Sequence, residues 1–189
     1  AMVETADGDR MMMEYDPYGS GNVRMGMPGD QQGYMLVNDG ILYLVSYDGG
    51  KPVVMYAAVM MKRLGATMAK MTPGAAEELV SIEATGRNER VAGIDGEVYV
   101  ATTRTNDGKE TTRELVLSDD ERAVALMQGM LNFTDAGMEA VDEAAFEEEQ
   151  SQTLQRFLDM EQLGLLRAGD DFAVTALSAE QVPESRFAL

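Results

Sequence analysis

"GYMLVNDGILYLVSYDGGKPVVMY", residues 33–56, decides the fold, because three apolar segments in it are separated by two short turns. The turns "NDG" at 38–40 and "DGG" at 48–50 consist of residues that tolerate the positive φ of tight hairpins. These residues therefore predict an antiparallel meander of three strands. Segments 34–37 and 41–45 are apolar at nearly every position, so both faces of these strands should be covered by helices or by a bound molecule.

Alternating apolar residues outside this meander predict further strands. In "NVRMGMP", Val23, Met25 and Met27 share one face, which is typical of a half-buried strand. Further strands are expected at "RNERV", "EVYVATTR" and "KETTRELVLS" within 87–118, and a last one within 172–176. The sheet should thus contain at least seven strands.

Three segments favour helix over strand. Residues 57–71 are rich in Ala and Met, and residues 138–163 combine apolar positions with a run of acids. Residues 119–133 follow Ser118, whose hydroxyl we expect to cap the N-terminus of that helix. Two or three helices are therefore expected to pack on the sheet.

Length and charge exclude several classes of protein. A chain of 189 residues with no evident linker is expected to form a single domain, 1–189, with a disordered N-terminus at 1–9. The formal net charge of −18 repels phosphate backbones and anionic membrane surfaces, so no nucleic-acid partner is expected. Every apolar run is much shorter than a membrane span, so no transmembrane segment is expected either.

The chain also lacks the side chains that most catalytic sites use. It contains neither cysteine nor histidine, which excludes thiolate nucleophiles, Ser-His pairs and the metal sites that these ligands build. No P-loop and no dinucleotide-binding glycine motif occurs. We therefore expect no enzymatic activity, no catalytic residue and no cofactor.

Sixteen methionines are the unusual feature of the composition. The methionine side chain is unbranched and polarisable, so it fills irregular cores and lets an apolar wall adapt to different ligands. Three interpretations are open: ordinary core packing, a pliable cavity for a hydrophobic ligand, and a Cu(I) site made of thioethers. The candidate cavity-lining residues are Met25, Met27, Leu36, Leu42, Leu44, Met55, Met60, Met127 and Leu131.

Four stretches of the chain together carry a resemblance to a known family: "NVRMGMP", "GYMLVNDGILYLVSYDGGKPVVM", "TGRNERVAGIDGEVYVATT" and "VPESRFAL". In this order they resemble a family of bacterial envelope proteins, a domain of unknown function whose fold is similar to that of the lipoprotein-localisation carriers. The resemblance spans roughly residues 10–187. It implies a strongly curved antiparallel sheet, an incomplete β-barrel, in which acyl chains lie between the sheet and its helices. It transfers no site residue to this chain.

The expected fold class is α+β, with a strongly curved antiparallel sheet covered on its concave side by two or three helices. The expected function is that of a periplasmic protein of the bacterial envelope, its signal peptide removed, which holds an acyl chain, lipid or lipoprotein between sheet and helices. One alternative is a protein–protein interaction module with a solid core, which would use its sheet edge or the acidic helix at 138–163. A methionine-based Cu(I) site is the second alternative.

Overall fold

The computed structural model describes residues 1–5, 7–15, 21–27, 33–59, 78–105, 107–140 and 163–189. These residues form eleven β-strands and one long α-helix. The strands are β1 (Met2–Thr5), β2 (Arg10–Tyr15), β3 (Val23–Gly26), β4 (Gly33–Asn38), β5 (Ile41–Asp48), β6 (Lys51–Tyr56), β7 (Glu78–Val91), β8 (Ile94–Arg104), β9 (Glu110–Ser118), β10 (Gly164–Ala168) and β11 (Phe172–Ala176). The helix, α1, spans Glu121–Ala140, and a 3-10 turn spans Glu184–Arg186.

All eleven strands belong to one antiparallel sheet, in the order β6-β5-β4-β3-β2-β1-β11-β10-β9-β8-β7. Strand β1 lies in the middle of this sheet and pairs with β11 on one side and with β2 on the other. The expected disorder of residues 1–9 is therefore wrong for Met2–Thr5. Val3, which is only 4% exposed, holds β1 against the core. A single buried residue in a strand of four leaves too short a pattern to read from sequence.

The sheet is more open than the sequence predicts, since β6 and β7 end it and each of them pairs with only one described strand. Among the described residues α1 is the only helix longer than one turn, so the expected incomplete barrel covered by two or three helices is wrong. A 20-residue helix is ~30 Å long, whereas eleven strands extend over ~50 Å, so α1 covers only part of the sheet. The expected helices at 57–71 and 138–163 lie mostly outside the described residues.

The predicted meander is confirmed by strands β4, β5 and β6. The hairpin turns between them have the expected backbone, with φ of 50° at Asp39, 78° at Gly40 and 80° at Gly50. Both are two-residue connections, which pair Asn38 with Ile41 and Asp48 with the residue that begins β6. Such short turns determine the register of the strands that they join.

Helix α1 packs on one face of the sheet, which we call the inner face. Its apolar residues recur every three or four positions, as an amphipathic helix requires. Gly164 at the start of β10 lets the two elements approach closely, because a Cβ there would lie 2.0 Å from the carbonyl carbon of Ala123. The helix residues in the main apolar cluster are Ala123, Leu126, Met130, Phe133 and Ala136.

The opposite, outer face of β4 and β5 is covered by the last residues of the chain, 182–189, which we call the strap. Phe187, which is 4% exposed, packs against Leu36 and Tyr43. The amide nitrogen Nδ2 of Asn38 donates a hydrogen bond of 3.0 Å to the carbonyl oxygen of Phe187. Helix and strap together therefore cover both faces of β4 and β5, as the two-sided apolar sequence of these strands predicts.

A charged anchor holds the strap beside this apolar contact. Arg186 donates two hydrogen bonds, of 3.0 and 2.7 Å, to the two carboxylate oxygens of Glu14 on β2. Glu14 also lies 3.6 Å from Arg24, its partner across the strands, and the Arg24 guanidinium stacks 3.8 Å above the ring centre of Tyr34. The strap thus contacts residues more than 140 positions away in sequence.

We predict that Phe187→Ala lowers the free energy of unfolding by about 3 kcal/mol, because a buried aromatic ring is lost from a packed cluster. Leu189→Ala is the matched control: it lies in the same strap but is 60% exposed, so its effect should stay within about 0.5 kcal/mol. Urea unfolding of the two variants measures both values. Equal stability of the two variants would show that the strap does not stabilise the sheet.

Candidate functional site

Four methionines and one leucine form a continuous row across five neighbouring strands. The register pairs Met13 with Met25, Met25 with Met35, Met35 with Leu44, and Leu44 with Met55. Residues that are directly paired across antiparallel strands point to the same face of the sheet, about 5 Å apart. We call these five residues the thioether row. It lies on the inner face, because Met13, Met25 and Met35 belong to the apolar cluster that α1 completes.

Exposure increases along the thioether row towards the sheet edge. Met13 on β2 is 2% exposed, whereas Met55 on the edge strand β6 is 40% exposed. Met25, Met35 and Leu44 between them are half-buried. The row is therefore closed at its β2 end and open at its β6 end.

A second row of paired residues runs alongside the thioether row and nearer to α1. We call it the covered row, because its side chains are almost fully buried. Its members Val23, Val37 and Leu42 are 0%, 1% and 7% exposed. At its β2 end, the Tyr15 hydroxyl donates a hydrogen bond of 3.2 Å to the carbonyl oxygen of Arg122 on the helix. Successive inner-face positions along a strand are about 6.8 Å apart, so the thioether row runs beside the helix.

Met27 extends this apolar surface beyond the end of β3. Its backbone N–H donates a hydrogen bond of 3.4 Å to the carbonyl oxygen of Gly33. Its sulfur lies 3.1 Å from the position that a Cβ on Gly33 would occupy. Because Gly33 has no side chain, the Met27 thioether can lie in this position next to the thioether row.

The N-terminus of α1 determines where the helix lies relative to the row. Asp120 accepts a hydrogen bond of 3.0 Å from the backbone N–H of Arg122 and two more, of 2.8 and 2.7 Å, from its guanidinium. Asp120 is therefore the cap, and the expectation that Ser118 caps the helix is wrong. The Ser118 hydroxyl, which is still part of β9, donates 2.7 Å to the carbonyl oxygen of Asp95 and accepts 3.2 Å from the backbone N–H of Asp120, just before the helix.

Hydrogen bonds to Asp120 lower the pKa of its carboxyl group. The hydrogen bond from the guanidinium of Arg122 is the largest cause, and the backbone N–H of Arg122 also lowers the pKa. Partial burial of the carboxyl group acts in the opposite direction and raises it. The ionised carboxylate is therefore the form that stabilises the start of the helix, where the helix dipole also favours a negative charge.

The structure brings together only part of the predicted set of site residues. Met25, Leu44 and Met55 lie in the thioether row, with Met27 beside it, and Leu42 lies in the covered row. The other predicted residues lie elsewhere: Leu36 on the outer face beneath the strap, Met127 and Leu131 on α1 outside the main apolar cluster, and Met60 outside the described residues.

Sequence reasoning missed two members of the thioether row as site residues, Met13 and Met35. Side-chain alternation places Met35 opposite Leu36 on β4, and the two-residue turn pairs it with Leu44. That signal was present in the sequence. For Met13 the pairing with Met25 depends on the longer connection between β2 and β3, part of which lies outside the described residues.

The arginines of the described residues are all paired with acidic side chains. Every arginine there has a carboxylate within 3.7 Å. The same residues contain no group of three or more acids arranged to hold a metal ion. No helix in the described part of the chain is long and apolar enough to cross a membrane. The alternative of a methionine-based Cu(I) site stays a prediction.

The chain matches no protein-family model, no curated protein and no solved structure. The resemblance to bacterial envelope proteins therefore stays a prediction, as does the periplasmic location. Function has to be argued from the geometry of the inner face.

We predict that Asp120→Ala destabilises the chain by about 1 kcal/mol at pH 7, because α1 loses its cap. The folded-state pKa of Asp120 lies below its ordinary value of 3.8, so the carboxylate stabilises the fold above pH 3.8. This contribution is lost as the pH falls through the folded-state pKa. Urea unfolding from pH 7 to pH 2 should therefore show the difference from the unsubstituted chain shrinking at the acid end.

Asp119→Ala is the control for this prediction. Asp119 is the exposed neighbour of the cap, and no residue in the described part of the chain donates a hydrogen bond or forms an ion pair with its carboxylate. Its replacement should leave stability within about 0.5 kcal/mol at every pH. A loss at Asp119 equal to that at Asp120 would contradict the assignment of the cap.

Proposed function

We propose that the protein holds a flexible apolar chain, such as the acyl chain of a lipid or lipoprotein, along the thioether row beside α1. The observation that carries the proposal is the gradient of exposure, from Met13 at 2% to Met55 at 40%, along one register-aligned row. An apolar row that is closed at one end and open at the sheet edge suits a ligand whose tail is buried and whose head stays in water.

The dimensions and chemistry of the row support this ligand class. Five strands at ~4.8 Å spacing give a row of ~19 Å, which is comparable to an extended long acyl chain. Thioether side chains adopt many rotamers, so they adjust to a chain that itself bends. Each methylene of the ligand that leaves water contributes about 0.8 kcal/mol, which makes micromolar affinity accessible to a chain of ordinary length.

The charge of the protein favours one kind of head group. The net charge of −18 repels anions, and the described arginines already have carboxylate partners. An uncharged or cationic head group should therefore bind better than a free fatty acid. This preference suits acyl chains in ester or amide linkage. A location in the bacterial envelope belongs to the same proposal and rests on the sequence resemblance.

The edge strand provides a matched pair of variants to test the proposal. Met55 and Val54 are neighbours on β6 with nearly equal exposure, 40% and 44%, but they point to opposite faces.

We predict that monolauroylglycerol, used below its critical micelle concentration, forms a one-to-one adduct with the intact chain in native mass spectrometry. A concentration of 100 times Kd should stabilise the fold by about 2.7 kcal/mol in thermal unfolding.

Met55→Asp should weaken this binding at least tenfold, about 1.4 kcal/mol, because an ionised carboxylate would have to lie against the apolar chain. Val54→Asp should leave the affinity unchanged, because Val54 faces the outer side. Absence of any adduct with the unsubstituted chain at millimolar ligand would overturn the proposed function.

A protein–protein interaction through the sheet edge is the second candidate. All six residues of β6 are exposed, and those at 52–56 carry no charge, so its free backbone groups could pair with an added strand. Strand β7 at the other edge is rich in charged residues and has two register shifts, which disfavour such pairing. Edge pairing uses the backbone, so under this second candidate Met55→Asp and Val54→Asp should weaken the binding of a protein partner equally. Neither substitution should then change the affinity for monolauroylglycerol.

A further inference from the structure

We propose that Met55 is a reversible oxidation site, and that its conversion to the sulfoxide lowers the affinity of the thioether row for apolar chains. This inference rests on the proposed function, since it concerns control of the same row. Its structural basis is the position of Met55: the most exposed member of the row, on an edge strand, at the open end where a chain would enter.

The composition directs oxidants to thioethers. The chain contains no cysteine, histidine or tryptophan, so methionine is its most readily oxidised side chain. The oxidant that we name is hydrogen peroxide, which is neutral and is therefore not repelled by the net charge of −18. Access to the sulfur then decides which methionine reacts first.

The reaction is a two-electron oxygen transfer. A sulfur lone pair attacks one peroxide oxygen, and the S–O bond forms as the O–O bond breaks. The departing hydroxide takes the proton from the transferred oxygen and leaves as water. Sulfur is oxidised and peroxide is reduced. The reverse step is catalysed by methionine sulfoxide reductases, in which two thiols become a disulfide and the sulfoxide oxygen leaves as water.

The sulfoxide changes the open end of the row from apolar to polar. Its S=O group is a hydrogen-bond acceptor, which would lose its water when an apolar chain lies against it. Met13, at the closed end of the same row, is 2% exposed and is shielded from the oxidant. The row therefore has its most exposed thioether at the entrance and a buried one at the closed end, so oxidation changes the entrance first and leaves the packed end intact.

Met12 is a control that the chain itself provides. It is 50% exposed, slightly more than Met55, but it lies next to Met13 on β2 and so points to the outer face. Peroxide should oxidise Met12 as readily as Met55. Only oxidation of Met55 should affect a ligand on the inner face.

The first measurement uses the intact, ligand-free chain and does not depend on ligand binding. We expect that graded treatment with hydrogen peroxide, followed by peptide mass spectrometry, shows Met12 and Met55 oxidised before Met13, Met25 and Met35. Oxidation of Met13 ahead of Met55 would overturn the inference.

The second measurement is the affinity for monolauroylglycerol before and after oxidation. Oxidised unsubstituted chain and oxidised Met12→Leu should both bind roughly tenfold more weakly than their reduced forms, and a pair of sulfoxide reductases specific for the two epimers should restore binding. Met55→Leu should bind equally well before and after peroxide.

The outcomes separate this inference from the function on which it rests. One outcome is that the reduced chain binds, while oxidation weakens binding by Met55→Leu as much as binding by the unsubstituted chain. In that case Met55 is not the oxidation site that lowers the affinity, and the proposed function stands. If the reduced chain does not bind monolauroylglycerol at all, the proposed function fails and the control of the row fails with it.

Discussion

The register of strands β2 to β6 is the constraint on which the rest of the structure depends. Side chains alternate between the two faces, so a slip of one residue in any of these strands would exchange its inner-face and outer-face residues. Met13 and Tyr15 would then leave the core, and Glu14 would point towards α1. The cross-strand pair of Glu14 and Arg24 on the outer face opposes this slip, because its charges would be buried under the helix. Arg186 of the strap strengthens the same anchor.

Helix and strap act on opposite faces of the same strands and depend on each other through this register. On the inner face, α1 covers the row that contains Val37 and Leu42 and leaves the thioether row beside it. On the outer face, Phe187 covers Leu36 and Tyr43. Strands β4 and β5, which are apolar on both faces, are thus shielded from water except towards β6. The open end of the thioether row is the part of the inner face at which this shielding is incomplete.

The sequence predicts local features of this fold well and distant ones poorly. Both hairpins follow from the turns "NDG" and "DGG", whose two-residue geometry also determines the pairings of Met35 with Leu44 and of Leu44 with Met55. The same alternation places Leu36 on the face opposite to Leu42 and Leu44, so the sequence itself separates Leu36 from the inner-face residues.

Other features depend on contacts that no local pattern contains. Strand β1 forms because β11, some 170 residues later, pairs with it, and the strap binds because Leu36 and Tyr43 lie on the surface that it meets. The described residues contain one long helix, α1, where two or three are expected on the sheet, and the other two expected helices lie mostly outside them. Eleven strands agree with the expected minimum of seven, but the expected disorder at 1–9 misses "MVET", which forms a central strand.

Methyl NMR of chain labelled with ¹³C at the methionine methyl groups tests the central claim most directly, because the thioether row exists only in one register. Paired residues on one face have Cβ atoms about 5 Å apart, so their methyl groups are close in space. The account predicts cross-peaks between the methyl groups of Met13 and Met25 and of Met25 and Met35, with none from Met12 to Met25. Cross-peaks from Met12 to Met25 would place the strands one residue out of register and contradict the account.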